Sequence, residues 1–348
     1  MKRIAVLIPA YQPDIKLTLL CEKLFNHGIK DVLIVNDGSD AEYNPLFEDI
    51  KSEFDYSILS HEHNLGKGRA LKDGMRKLLE TDVDGCVTAD ADGQHLAADI
   101  LTCIKRLEAE PDKFFIGMRD FTGSNIPLAD RIWNGATKVI FRYLFGAKLS
   151  DSLCGLRGIP RSFMEEIVSI KGDRYEYETE VLIEATRRLE IVEFPIATIF
   201  DQKGHFTSRD SFEIYKIFAK VFLTFVFSSL SSSLIDLILF SVFCRVFRGR
   251  YPLAYVSVAT VIARIISSIY NYVLNKRIVF RKQKKHKNSG LKYFALAIVQ
   301  MILSAAGVTG LVALTDGISE TLLKAVVDII LFFTSYPIQQ KYVFADKS

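Results

Sequence analysis

Short apolar runs alternate with amphipathic segments over the first 210 residues. Three of these runs are Ile4–Ile8, Asp31–Val35 and Asp84–Val87, and each is bounded by turn-forming residues. Runs of this length are typical of strands that are buried on both faces of a sheet. Because helical patterns separate them, the order predicts right-handed βαβ units. We therefore predict an α/β domain with a mostly parallel sheet and flanking helices.

The same pattern predicts further elements in this domain. The additional predicted strands are Tyr56–Leu59, Lys113–Arg119 and Ile191–Ile199. The predicted helices end near Asn26 or cover about Pro45–Ser52, Ala97–Ala109 and Asp130–Phe145, and one more begins at Tyr175. A loop and short strand are expected over Ser150–Gly158.

Longer apolar segments follow residue 210. Four of them are long enough to cross a bilayer, for which about 20 residues suffice. They are 221–244, 252–274, 293–314 and 321–342. We therefore predict a globular catalytic domain at 1–210, a juxtamembrane interface helix at 211–220 and a four-helix transmembrane domain at 221–348.

Composition and charge support a multi-pass membrane protein. The 348 residues are 49% hydrophobic, and the mean hydropathy of +0.18 is high for a soluble protein. A basic loop spans 275–292, whereas 315–320 carries no positive charge. The positive-inside rule places the basic loop, both termini and the globular domain in the cytoplasm, although arginines within 245–250 oppose it. We expect a plasma-membrane location, with lipids and no nucleic acid as partners.

Two further observations concern thiols and buried charge. The five cysteines form no C-x-x-C pair, which predicts reduced cytosolic thiols without a disulfide or zinc site. Asp236, Arg264 and Asp328 lie within predicted spans, where a charge costs about 2.5–3.5 kcal/mol. We predict that Arg264 pairs with Asp236 or Asp328.

The segment Thr88–His95 is the main candidate for chemistry. Asp90 and Asp92 are separated by one residue just beyond a predicted strand, and Gln94 follows. Ligands of open α/β sheets bind outside the carboxyl ends of the strands. Hard oxygen donors suit a divalent cation shared with phosphates. The alternative is a polar loop that caps the helix beginning near Leu96.

Two other strand ends carry polar residues. Asp37 could hydrogen-bond a ribose or base, or could belong to a simple Asp-Gly-Ser turn. Gly66-Lys67-Gly68 opens a helix and could hold phosphate through backbone N–H groups and the lysine. The pattern lacks the P-loop spacing, so it is weak by itself.

Taken together, these stretches resemble glycosyltransferase family 2, in its polyprenyl- and dolichyl-phosphate sugar synthase branch. The resemblance covers roughly residues 4–210 and keeps the family's order. Its motifs are Pro9-Ala10-Tyr11, Val35–Ser39, Asn64–Gly68, Asp90–His95, Gly117–Arg119 and Asp151–Arg157. The second half resembles the GtrA-like domain through Asn271–Phe280 and Gln340–Phe344.

The resemblance implies a GT-A type fold and assigns roles to individual residues. Asp90, Asp92 and Gln94 would hold Mg²⁺ or Mn²⁺ on the donor diphosphate, with Asp92 also counted as catalytic. Arg119 and Arg131 would contact the acceptor phosphate and act as catalytic residues. The implied donor contacts are Pro9, Ala10, Tyr11, Asp14, Asp37, Lys67, Asp90, His205 and Arg209. Asp14 stands where the family often has a glutamate, and Gly135 replaces a frequent serine.

The implied function is inverting transfer of one sugar from a UDP- or GDP-sugar to polyprenyl phosphate at the cytoplasmic membrane face. A processive polysaccharide synthase of the same family would carry a Gln-x-x-Arg-Trp motif, which is absent. The non-enzyme alternative is a lipid-linked sugar flippase or scaffold whose globular domain only binds. The sugar, the base, the acceptor length and a homo-oligomeric state stay open, as does whether the membrane domain flips product or only anchors and presents the acceptor.

Overall fold

A computed structural model describes most of the chain. The described residues are 2–122, 126–197, 199, 208–247, 249, 255–280, 288–315, 318 and 320–344. The chain divides into two compact units, Met1–Ile217 and Phe218–Ser348.

Seven strands within the described part of the first unit form one sheet. They are β1 (Ile4–Ala10), β2 (Val32–Asn36), β3 (Ser57–Ser60), β4 (Gly85–Thr88), β5 (Phe114–Met118), β6 (Arg157–Pro160) and β7 (Ile191–Pro195). The spatial order is β3-β2-β1-β4-β6-β5-β7. β6 runs antiparallel to β4 and β5, while the other neighbouring pairs are parallel. The mostly parallel sheet is confirmed, and the apolar pattern did not predict the reversed strand.

Helices flank this sheet. In chain order they are α1 (Ile15–Asn26), α2 (Asn44–Phe54), α3 (Lys67–Leu79), α4 (Ala97–Ala109), α5 (Leu128–Phe145), α6 (Arg161–Ile167) and α7 (Glu176–Arg188). α3 packs on β1 and β2, and α4 packs on β4, β5 and β6. Because helices cover both faces of the central strands, Val6, Leu7 and Ile8 are fully buried. Burial of each such side chain contributes about 1.5–3 kcal/mol.

The last strand is shorter than its apolar run. The prediction extended it to Ile199, but β7 ends at Pro195, opposite Met118 at the end of β5. A strand requires a partner for its backbone groups. The residues beyond Met118 leave the sheet, so β7 stops with them.

A single helix, α8 (Ser208–Phe247), extends from the first unit into the second. The segment 211–220, which we predicted as a separate interface helix, is the N-terminal part of this helix. No proline or glycine interrupts 208–247, so nothing in the sequence ends the helix between the amphipathic and the apolar part. By length and composition, Phe212–Phe247 is able to cross a membrane.

The second unit continues with three more helices among the residues described. They are α9 (Tyr255–Leu274), α10 (Ser289–Leu314) and α11 (Glu320–Ile338), with π-helical turns at Asn275–Val279 and Gln339–Phe344. Within α10, Ser289–Ser304 is a shorter apolar stretch. Residues 281–287 of the predicted basic loop lie outside the described residues.

Buried polar side chains link the helices of this unit. The Ser228 hydroxyl donates to Asn275 Oδ1 at 2.7 Å, and Asn275 Nδ2 donates to Gln339 Oε1 at 2.9 Å. Asn275 is fully buried. Hydrogen bonds of this kind hold helices together in an apolar environment. The GtrA-like motif around Asn275 therefore forms part of the helix interface.

The predicted pairing of Arg264 with Asp236 is confirmed. Arg264 Nη2 lies 3.7 Å from Asp236 Oδ2. Asp236 Oδ1 also accepts a hydrogen bond from the Ser267 hydroxyl at 2.7 Å. Asp328 instead accepts from the Ser304 hydroxyl at 2.6 Å.

Candidate active site

Several loops meet at one edge of the sheet. The parallel strands β1, β2, β4 and β5 end there, and the antiparallel β6 begins there. The loops involved are 11–14, 37–40, 89–96, 119–122 and 150–156. Five separate stretches of the predicted motifs are thereby brought to one edge of the sheet, as expected for a ligand site in an open α/β sheet.

The loop after β4 presents two carboxylates. Asp92 Oδ1 accepts a hydrogen bond from the backbone N–H of Gln94 at 3.0 Å, and Gln94 Nε2 donates to Asp92 Oδ2 at 2.9 Å. The backbone N–H of Asp90 donates to His95 Nδ1 at 3.0 Å. These local bonds hold the loop, so Asp90 and Asp92 keep fixed positions without a ligand's help.

Asp90 is part of a half-buried ion triad. Lys67 Nζ lies 2.7 Å from Asp90 Oδ1 and 2.8 Å from Glu178 Oε2. Burial raises the pKa of Asp90, but the charge and hydrogen bond of Lys67, together with the charges of His95 and Arg119, bring the pKa below its usual range. Burial likewise lowers the pKa of Lys67, and the two carboxylates more than reverse that effect. Lys67 and Asp90 therefore form a charged pair at neutral pH.

Asp92 has a different electrostatic environment. Burial and the negative charge of Asp90 raise the pKa of Asp92. A divalent cation between the two carboxylates would remove this repulsion, and their oxygens are the hard donors that Mg²⁺ and Mn²⁺ accept. No cluster of three or more His, Cys, Asp or Glu side chains in the described residues is arranged to hold a metal. A cation here would complete its coordination with the Gln94 amide, diphosphate oxygens and water, and the donor set fits that arrangement.

His95 and Gly155 both lie against Asp90, His95 at its backbone N–H and Gly155 at its carboxylate. His95 is buried, and burial lowers the pKa of its imidazole. Its Nδ1 accepts the Asp90 N–H, so the neutral ring carries its proton on Nε2, which lies 3.9 Å from Cys154 Sγ. At Gly155, a Cβ atom would lie only 2.5 Å from Asp90 Oδ2. Only glycine therefore allows the loop before β6 to approach the carboxylate this closely.

An arginine–aspartate pair stands at the end of β5. Arg119 Nε donates to Asp151 Oδ2 at 2.6 Å, and Nη2 donates to Asp151 Oδ1 at 3.1 Å. Asp151 is fully buried and also accepts from the Leu153 N–H at 3.1 Å. The paired carboxylate keeps Arg119 charged, raising its pKa despite partial burial, and the Arg119 charge in turn lowers the pKa of Asp90. The arginine thus lies at the same sheet edge as the carboxylate pair, at the end of β5.

Asp37 holds the neighbouring loop. Its carboxylate accepts hydrogen bonds from the backbone N–H groups of Leu65 at 3.0 Å and Gly66 at 2.8 Å, and His61 Nδ1 lies 2.8 Å away. The side chain is buried. These contacts fix the start of α3, which carries Lys67, so Asp37 supports the site whether or not it reaches a ligand.

Both halves of the chain match known families. Residues 5–168 match "Glycosyl transferase family 2", and residues 224–344 match "GtrA/DPMS, transmembrane domain". The first part of the chain thus matches a glycosyltransferase family 2 model, and the second part matches a GtrA/DPMS transmembrane-domain model. Both recognised resemblances are confirmed.

Two curated relatives align with the transferase half. One is the UDP-N-acetylglucosamine–dolichyl-phosphate N-acetylglucosaminyltransferase of Methanococcus voltae, 28% identical over 242 residues, covering 64% of this chain and 96% of the relative. The other is an uncharacterised protein of Methanocaldococcus jannaschii, 28% identical over 229 residues, covering 64% of this chain and 93% of the relative.

Solved structures of a more distant protein are also similar. Glucosyl-3-phosphoglycerate synthase from Mycobacterium tuberculosis, in complex with Mn²⁺ and UDP-glucose, aligns with a TM-score of 0.48 at 16% identity. The alignment covers 63% of this chain and 77% of the other.

The structure places the remaining predicted residues of the transferase domain as follows. Pro9 and Ala10 end β1, and Tyr11 follows them with an exposed side chain. Asp14 is the N-cap of α1, and its carboxylate accepts from the Lys16 N–H at 2.9 Å. The other members are Arg131 in the first turn of α5, Arg209 in the first turn of α8, and His205, which lies outside the described residues. Ligand contacts of all these residues stay predictions.

Sequence reasoning missed Glu178 as a member of the site. We attributed the acidic residues at the start of α7 to the helix dipole, which is their ordinary explanation. Glu178 lies 111 residues from its partner Lys67, so no local pattern connects them. His95, although part of a recognised motif, was also given no role, and its hydrogen bond to the Asp90 backbone becomes visible only in the folded loop.

Proposed function

We propose that this protein transfers a single sugar from a UDP- or GDP-sugar to a polyprenyl phosphate, with inversion at the anomeric carbon. The observation that carries the proposal is the pair of carboxylates Asp90 and Asp92 at one sheet edge, with Lys67 bound to Asp90 and the Arg119–Asp151 pair at the end of β5. The name of the M. voltae relative, which specifies a UDP-sugar and a dolichyl phosphate, supports the same donor and acceptor classes.

The proposed chemistry requires two anions to approach each other. Asp90, Asp92 and Gln94 would hold Mg²⁺ or Mn²⁺, which when bound neutralises the leaving diphosphate. Arg119 and Arg131 would bind the acceptor phosphate, for which an arginine offers paired N–H donors. An acceptor phosphate is ionised at neutral pH, so no general base is required. Its direct attack on the anomeric carbon would invert the configuration.

The second domain suits a lipid acceptor. A polyprenyl chain lies in the bilayer, so a helical membrane domain in the same chain would keep the enzyme beside its acceptor. We propose a multi-pass topology in the plasma membrane with the transferase domain and both termini in the cytoplasm. The basic segment 275–292 supports this orientation.

The test is a transfer assay in membranes. Radiolabelled UDP- and GDP-sugars are supplied with undecaprenyl phosphate and Mg²⁺ or Mn²⁺ to the wild type, Asp92→Ala and Asp49→Ala. Asp49 is an exposed acid on α2 and serves as the matched control. We expect a lipid product labile to mild acid that is formed by the wild type and by Asp49→Ala but is lost in Asp92→Ala.

The opposite result is equally clear. If folded protein binds nucleotide but transfers no sugar from any donor, the proposed transferase activity is wrong. A product formed equally well by Asp92→Ala would contradict the role of the carboxylate pair while leaving the transfer itself intact.

A further inference from the structure

Lys67 lies between the carboxylates of Asp90 and Glu178, next to the proposed cation site. Its Nζ lies at nearly equal distances from Asp90 Oδ1, 2.7 Å, and Glu178 Oε2, 2.8 Å. The three side chains are largely buried, with exposed fractions of 19% for Lys67, 25% for Asp90 and 13% for Glu178. The ammonium therefore binds an oxygen of the same carboxylate that would serve a divalent cation.

The backbone fixes this arrangement from both sides. The N–H of Arg69 donates to the Asp173 carbonyl at 2.9 Å, which joins the start of α3 to the segment before α7. At Gly68, a Cβ atom would lie 2.5 Å from Tyr177 Cβ, so the two helices are in close contact. Arg157 Nη1 also donates to the Glu178 carbonyl at 2.6 Å. Glu178 is thus held beside Lys67 whatever Asp90 binds.

We propose that Lys67 competes with the divalent cation for Asp90 and that Glu178 is the positioning residue that retains Lys67 when the cation takes its place. This inference rests on the proposed function, because it assumes that Asp90 and Asp92 hold a cation. Glu178 thereby sets the affinity of the site for the metal without touching it.

The balance of charge at the site explains why the Glu178 carboxylate affects cation binding. With each carboxylate of Asp90, Asp92 and Glu178 counted as −1 and the Lys67 ammonium as +1, the formal charge is −2, which one divalent cation neutralises. If Glu178 were absent, a cation at Asp90 would leave the Lys67 ammonium buried without its second carboxylate. An uncompensated buried charge is strongly unfavourable. Lys67 would then hold Asp90 more tightly, and the cation would bind more weakly.

The experiment measures Mn²⁺ binding to the full-length protein in detergent, without nucleotide, from the electron paramagnetic resonance signal of free Mn²⁺. The variants are Glu178→Gln, Lys67→Met and the double variant, with Glu176→Gln as the control. Glu176 lies in the same first turn of α7 but accepts hydrogen bonds from the backbone of Asp173 and Arg174. Thermal melting is recorded for each variant.

We expect Glu178→Gln to weaken Mn²⁺ binding roughly tenfold, a coupling typical of residues in one ion-pair network. Lys67→Met should strengthen it, because the competing ammonium is gone. In the Lys67→Met background, Glu178→Gln should have little further effect. Glu176→Gln should leave the affinity near that of the wild type.

Three results would overturn the inference. An equal loss of affinity on Glu178→Gln in both backgrounds would mean that Glu178 acts directly or through its field. An unchanged affinity in both single variants, with lower melting temperatures, would mean a purely structural ion pair. A wild type that binds no Mn²⁺ would refute both this inference and the metal-dependent form of the proposed function. The expected pattern in a protein that transfers no sugar would support the competition and refute only the proposed function.

Discussion

The Arg119–Asp151 pair offers the sharpest test of how the site is built. Replacement of Asp151 by asparagine keeps the shape of the side chain and removes its charge. In the native protein this fully buried carboxylate receives two hydrogen bonds from the Arg119 guanidinium, at 2.6 and 3.1 Å, and one each from the backbone N–H groups of Arg119 and Leu153. The variant leaves a guanidinium with a 15% exposed side chain beside a neutral amide.

The expected loss of stability follows from this geometry. Breaking a buried ion pair by removing one partner costs about 3–5 kcal/mol. For a domain of this size, 1 kcal/mol shifts the melting temperature by about 2–4 °C. The transferase domain of Asp151→Asn should therefore melt roughly 6–20 °C below the wild type. Differential scanning fluorimetry of the full-length protein in detergent measures the shift.

The same substitution should impair acceptor binding. Because we propose that Arg119 contacts the acceptor phosphate, its loss of a fixed position should raise the KM for polyprenyl phosphate more than the KM for the nucleotide-sugar. Both constants are measured in the transfer assay at a temperature where the variant remains folded.

Two further variants complete the design. Asp120→Asn removes a charge from the adjacent exposed residue, whose carboxylate accepts a hydrogen bond from the Thr122 N–H at 2.8 Å. This variant should change neither the melting temperature nor the KM for polyprenyl phosphate much. The double variant Arg119→Met/Asp151→Leu leaves no orphan charge and should be more stable than Asp151→Asn. A melting temperature of Asp151→Asn close to that of the wild type, with an unchanged acceptor KM, would refute the reasoning.

Three other outcomes are expected. Gly155→Ala places a methyl group 2.5 Å from Asp90 Oδ2. The Asp90 carboxylate would have to move, and its displacement should lower the rate of sugar transfer by about 100-fold. Activity near that of the wild type would show that the loop adjusts freely. Excess EDTA should abolish transfer and Mg²⁺ or Mn²⁺ should restore it, whereas full activity in EDTA would argue against a metal-dependent reaction. Burial raises the pKa of Cys21 and of Cys86 to about 12, so both thiols stay protonated at pH 8, and an aromatic disulfide reagent should modify them only after unfolding. Rapid modification of either thiol in the native protein would contradict their burial.

Local patterns along the sequence predict much of the fold. Apolar runs such as Ile4–Ile8 predict buried strands because a strand covered on both faces needs apolar side chains at every position. The helix Ala97–Ala109 was predicted with its observed bounds. Asp90 and Asp92 could be found because a strand end followed by paired carboxylates is itself a local signal.

Other features of the sheet depend on which strands pair, and no local sequence pattern predicts them. The reversed strand β6 pairs with β4 and β5, and its apolar residues would suit either direction. The end of β7 is set by where its partner β5 stops, not by its own apolar run. Strand direction and pairing depend on how distant segments pack, which periodicity along the chain does not record.

The alternation of strands and helices, the apolar second half and the position of the carboxylate pair follow from local patterns in the sequence. The groups that surround the carboxylate pair follow from the folded arrangement. Lys67 meets Glu178 across 111 residues, and Arg119 meets Asp151 across 32. The physical reason is that hydrophobic patterning acts between near neighbours in the chain, whereas an ion pair forms wherever packing brings opposite charges together in a buried place.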